Sequence, residues 1–139
     1  MPMTRTDFQH LAEVRIAEAA ILLANQAWDG AYYLAGYAVE CALKACIAKM
    51  TQAEDFPDKK VAEKSWQHDF NELLTVAGLM KLQKADAPHG SLRENNWKIA
   101  KDWNEQARYQ RKSQSEAERL FEAITDTTDG VLPWIKQHW

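Results

Sequence analysis

With 139 residues, 46% of them hydrophobic and 27% charged, the chain has the size and balance of one folded domain, and its six tryptophans exclude a disordered polypeptide. The net charge of -3, from acids and bases interleaved along the sequence, excludes a broad electrostatic surface for nucleic acid, so any such contact must be local. Folding at this length buries about two-thirds of the surface that the unfolded chain exposes, which sets a single core and one domain over residues 1–139.

The segment MPMTRTDFQH holds no apolar stretch with basic flanks and a small-residue cleavage site, so no secretory signal is read and a cytoplasmic protein is expected. Thr6 and Gln9 have capping-box spacing, and Phe8, Leu11, Ala12, Ile16, Ala19, Ala20, Leu23 and Ala27 recur at helical period. They predict a first helix ending near Trp28. Asp29-Gly30 reads as a turn that folds the next helix back as a hairpin. That second helix, from about Gly30 to Met50, is apolar nearly all round and is expected at the centre of a bundle. The run Ala31–Ile47 is too short, and too interrupted by charge, for a good membrane span. Cys41 and Cys46 point in different directions on the helix and are read as reduced, packed thiols.

Met50–Lys64, with Pro57 and the run DKK, reads as a loop. Asp69 with Glu72 caps a short third helix through Phe70, Leu73, Leu74 and Ala77, and Gly78 suits its end. Pro88 and Gly90 bracket a turn before a fourth helix, with Leu92, Asn96, Ile99 and Trp103 in line, running to about Tyr109. Ser113 and Glu116 cap a fifth, carrying Ala117, Leu120, Phe121 and Ile124. Pro133 predicts a break or kink near Asp129. No stretch alternates convincingly as a strand, and no repeat appears. The expected fold is all-α, an antiparallel up-and-down bundle of four to five helices.

Glu40 and Lys44 are the residues that a core helix should not carry. Four apart, acid first, they have the better orientation for a helical ion pair. Desolvating both would cost several kcal/mol per ion, so they are expected paired at the rim of the bundle or turned into a polar cleft. His68, at the head of the third helix, serves either as a cap or packing residue or as a group that titrates near neutral pH or donates hydrogen bonds to a phosphate. Arg108 and Tyr109, with Arg111 and Lys112, form a local basic cluster that either satisfies a helix dipole or binds a phosphate or base. His10, His89 and His138 are scattered, no metal spacing occurs, and the nucleotide and hydrolase loops with glycine signatures are absent. No metal and no cofactor are expected.

The segments WDGAYYLAGYAVECALKA (Trp28 to Ala45), HDFNELL (His68 to Leu74) and WNEQARY (Trp103 to Tyr109) together resemble a HEPN-domain protein of the small stand-alone bacterial or archaeal type. The resemblance implies a helical bundle pairing as a homodimer around a polar cleft, linked to RNA or nucleotides. Many family members are metal-independent ribonucleases that use an Arg, four to six residues and then a His. Arg108 matches that arginine, whereas Ser113, Gln114 and Ser115 stand where the histidine would fall, and neither Ser nor Gln replaces its proton transfer. The literal spacing at Arg5 and His10 lies at the first helix cap, where the family does not place it. The resemblance therefore implies a noncatalytic accessory or binding module that engages a nucleotide, RNA or a partner nucleotidyltransferase. Its ligand-binding residues would be Glu40, Lys44, His68, Arg108 and Tyr109, with no catalytic residue assigned. The alternatives are a divergent ribonuclease toxin of a toxin–antitoxin or defence system, and a purely structural or interaction protein.

Overall fold

A computed structural model describes residues 3–51 and 68–139. Among these residues it has only helices, so the fold is all-α and bundle-like. Seven helices and one 3-10 turn are present, more than the four or five expected. They are α1 (Arg5–Ala24), α2 (Trp28–Met50), α3 (Phe70–Val76), α4 (Met80–Asp86), α5 (Leu92–Lys101), the 3-10 turn Glu105–Tyr109, α6 (Gln114–Thr125) and α7 (Val131–Lys136). The expected loop at Met50–Lys64 lies, beyond Thr51, outside the described residues.

The cap of α1 is Thr4 with Asp7, not Thr6 with Gln9: the Thr4 hydroxyl accepts from Asp7 N–H while the Asp7 carboxylate accepts from Thr4 N–H. Both pairs have the required spacing, and the earlier one wins with a charged acceptor. The helix also ends earlier than expected, at Ala24, and the turn is made by Asn25, Gln26 and Ala27. Gln26 takes φ 62°, a left-handed conformation that side chains seldom adopt. Asp29 and Gly30 are not the turn; they fall in the first turn of α2, where an acidic side chain suits the positive end of the helix.

With so short a connection, α1 folds back along α2, which is the central helix: it packs against α1, α3, the 3-10 turn, α6 and α7. Small residues make this crowding feasible. Ala31, Ala35, Ala38, Ala42 and Ala45 are all 0–1% exposed, and Val39 and Leu43 are fully buried among them. Asp69 caps α3 as expected, accepting from Glu72 N–H at 3.0 Å, and Gly78 follows the helix at φ 74°.

The seven-residue helix α4 was not foreseen. It is held by Asp86, whose carboxylate accepts from Trp134 Nε1 at 2.9 Å, and by Arg93, which donates to Asp86 O and Thr128 O. Trp97 meets Trp134 edge to face at 5.6 Å, closing that end of the core. The expected fourth helix stops at Lys101 rather than Tyr109, because Asn104 turns extended and caps a separate 3-10 turn through Gln106 N–H. Ser113 and Glu116 form the capping box expected at the next helix. The break before Pro133 is real: α6 ends at Thr125 and α7 starts at Val131, with the proline in the first turn, where its missing N–H costs least.

Candidate functional site: a charged chain from core to surface

Glu40 is 2% exposed, one turn beyond Gly36 on α2. A carboxylate so placed must be matched, and two partners meet it. From the next turn, Lys44 Nζ donates to Oε2 at 3.3 Å. From the segment before α3, His68 Nδ1 lies 2.7 Å from Oε1. The other ring nitrogen of His68, Nε2, lies 2.7 Å from Oε2 of Glu105, the first residue of the 3-10 turn. Lys44, Glu40, His68 and Glu105 thus form a continuous chain. Its side chains pass from 3% exposure at Glu40 to 42% at His68 and 38% at Glu105.

Aromatic packing sets this geometry. The Trp103 ring lies directly on Gly36, where a Cβ would stand 2.3 Å from ring carbons, so only glycine fits. On its other contacts the ring stacks on Phe70 at 5.4 Å and 11°, and meets Tyr33 at 6.0 Å. Phe70 follows His68 by two residues and Glu105 follows Trp103 by two. The stack therefore fixes the two backbone segments from which His68 and Glu105 reach each other.

Burial also shapes the neighbouring ionisable groups. It pushes the Cys41 thiol up to about 11, with the Glu40 charge adding and Lys44 opposing. The Tyr37 hydroxyl is raised, first by burial and then by the charges of Cys41 and Glu40. Cys46, on another face of α2, is pushed up to about 12 by burial. Both thiols are free and buried.

Of the residues singled out in the sequence, Glu40, Lys44 and His68 come together. Arg108 and Tyr109 stand apart from them. The Arg108 guanidinium stacks 4.9 Å from the centre of its neighbour's ring and forms no ion pair with another described residue, while Tyr109 is 73% exposed. Their link to the chain is through the backbone of the 3-10 turn that also carries Glu105. Lys112, part of the same basic cluster, is structural: its Nζ lies 4.4 Å over the Tyr32 ring and its N–H donates to Asp29 at 2.6 Å.

Sequence reasoning missed Glu105, which is joined to Glu40 and His68 by no local spacing. It also missed the seating of Trp103 on Gly36, for which a glycine amid helical alanines was the available signal. A separate concavity of about 230 Å³ lies between α5 and α6, lined by Leu92, Asn96, Ile99, Arg119, Glu122 and Asp126. Among the described residues, no three His, Cys, Asp or Glu are arranged to hold a metal ion. No helix of the described residues is long and apolar enough to cross a membrane. Comparisons with protein-family models, curated proteins and solved structures found no match to the chain.

Proposed function

We propose that the chain is a HEPN-like binding or accessory module that engages single-stranded RNA or a nucleotide at the 3-10 turn carrying Arg108 and Tyr109, to which His68 is tied through Glu105. The observation that carries this reading is the exposed Arg108–Tyr109 pair on the 3-10 turn that also carries Glu105. A guanidinium plane on an exposed ring offers a stacking face for a base and a fork for a phosphate, both without strong sequence preference. The net charge of -3 suits local capture better than a broad electrostatic surface.

Both nitrogens of His68 are occupied by carboxylates, which favours a binding role over proton transfer to a substrate in this arrangement. The module works as a homodimer in this reading. The outer stripe of α1 supports it: Ala17, Ala20, Ile21 and Ala24 are exposed at helical spacing, with Ile21 at 63%. A partner nucleotidyltransferase is the alternative occupant of the same surface. The test is an equilibrium titration with a single-stranded RNA oligonucleotide and with a mononucleotide, in chelator, on wild type, Arg108→Ala and Tyr109→Ala. Each substitution is expected to weaken binding by about tenfold or more, from the loss of a stacking contact. Equal affinity in all three proteins refutes the assignment.

A further inference from the structure

His68 stands between two carboxylates, and proton counting at that position leads beyond a static ion pair. An ionised carboxylate oxygen and an unprotonated ring nitrogen both present lone pairs, so each N···O contact of 2.7 Å needs a proton between its atoms. Two contacts on one imidazole require two protons shared among His68, Glu40 and Glu105. A neutral imidazole between two carboxylates supplies one. Removing a proton therefore makes one of the two contacts repulsive.

Burial decides which contact opens. The Glu40 side chain is 3% exposed, and although Lys44 holds Oε2, losing Nδ1 would leave the buried Oε1 without its hydrogen-bond partner. The Glu105 side chain is 38% exposed and can exchange His68 for water. The surviving proton stays on Nδ1, toward Glu40, and Glu105 is released. We propose that His68 is a proton-gated clamp that, on losing one proton, lets go of Glu105 and so frees the 3-10 turn carrying Arg108 and Tyr109.

Among the described residues, the other charged and titratable groups around the chain are committed elsewhere. On α2, Tyr37 and Cys41 are both raised, so they stay neutral. On α1, Arg15 pairs with Glu18 at 2.5 Å. Asp69 caps α3, and Arg108 stacks on Tyr109. Short 3-10 turns have weak internal hydrogen bonds, so an external tether strongly affects their order. Residues 105–109 keep Ala107 as a buried anchor after release, so the turn loosens around that residue rather than detaching from α2.

The clamp's role in regulation rests on the proposed RNA or nucleotide binding: the closed state holds Arg108 and Tyr109 in place, which favours affinity by pre-ordering. Substitutions at Glu105 separate the states. In Glu105→Gln the amide can donate to an unprotonated Nε2 or accept from a protonated one, so the clamp stays closed. In Glu105→Ala it is open throughout.

The experiment follows backbone amide resonances of residues 105–109 and the ring nitrogens of His68 by NMR across a pH series. Wild-type amides are expected to move with the His68 ring, from a Gln-like spectrum at lower pH to an Ala-like one at higher pH, while both variants lose that response. Amides that ignore the His68 ring, or an Ala variant that keeps the wild-type response, overturn the clamp. The same samples are titrated with the RNA oligonucleotide. A clamp that switches without RNA binding supports this inference and sinks only the binding function, whereas RNA binding without the amide response overturns the clamp alone.

Discussion

Replacing Gly36 by alanine sets two effects of opposite sign against each other. Helix propensity favours the change by roughly 0.5–1 kcal/mol, because glycine in a helix interior gives up more backbone freedom. Packing opposes it. The new Cβ would stand 2.3 Å from Trp103 ring carbons, about 1 Å inside ordinary contact, a misfit of the overpacking kind that costs about 1–3 kcal/mol. The ring has little room to yield, since Phe70 stacks on it at 5.4 Å and Tyr33 lies 6.0 Å away. Taking the upper end of that range, the net loss is about 2 kcal/mol, a fall in melting temperature of roughly 4–8 °C for a chain of this size. The assay is thermal unfolding followed by circular dichroism, with tryptophan fluorescence reporting the Trp103 environment. An unchanged or higher melting temperature would refute the seating of Trp103 on α2.

Three further outcomes follow from the same structure. Glu40→Gln leaves Lys44 beside a neutral amide and is expected to lower stability by about 1–3 kcal/mol in urea unfolding, a loss typical of a broken buried charge contact; no change would place the pair at a solvated surface. Cys41 and Cys46 hold protons in the folded state above the ordinary thiol value, at about 11 and about 12, so the folded chain binds more protons than the unfolded one once that value is passed. Their contribution to stability is present below the ordinary value near 9 and is lost as pH rises through the folded values; Cys41→Ser with Cys46→Ser should flatten the alkaline fall in denaturation midpoint, and an identical slope would count against it. Ser113→Ala removes a capping box at α6 and should cost about 1 kcal/mol, measured by the urea midpoint.

How much of this was legible in the sequence depended on whether the signal was local. The capping pairs Ser113–Glu116 and Asp69–Glu72, the break before Pro133 and the central place of α2 were all readable, because each rests on spacing within a few residues. Local signals also misled where two competed. Asp29-Gly30 looks like a turn, but its acid serves the start of α2 and accepts from Lys112 N–H, while Gln26 adopts the left-handed conformation with no glycine to announce it. Similarly, Ile99 and Trp103 are spaced in helical register, yet the helix ends between them at Lys101, and Asn104 caps a separate 3-10 turn.

The candidate site divides along the same line. Glu40 and Lys44 were visible as an i,i+4 pair, and their contact at 3.3 Å is what that spacing favours. The further reach from Glu40 to His68, and from His68 to Glu105, spans separate elements and depends on the stacking of Phe70 on Trp103. No periodicity encodes such a contact. The resemblance implied that Arg108 shares a ligand site with Glu40, Lys44 and His68, but it lies outside the chain of contacts because it sits on a 3-10 turn that directs Glu105, rather than the arginine, toward His68.

Contact mapping with bound RNA tests the central claim most directly. Photo-crosslinking of a single-stranded oligonucleotide, with the linked peptides read by mass spectrometry, should place the RNA at the segment containing Arg108 and Tyr109 and at His68. Crosslinks confined to the concavity between α5 and α6, or none at a concentration that saturates the titration, would contradict the account.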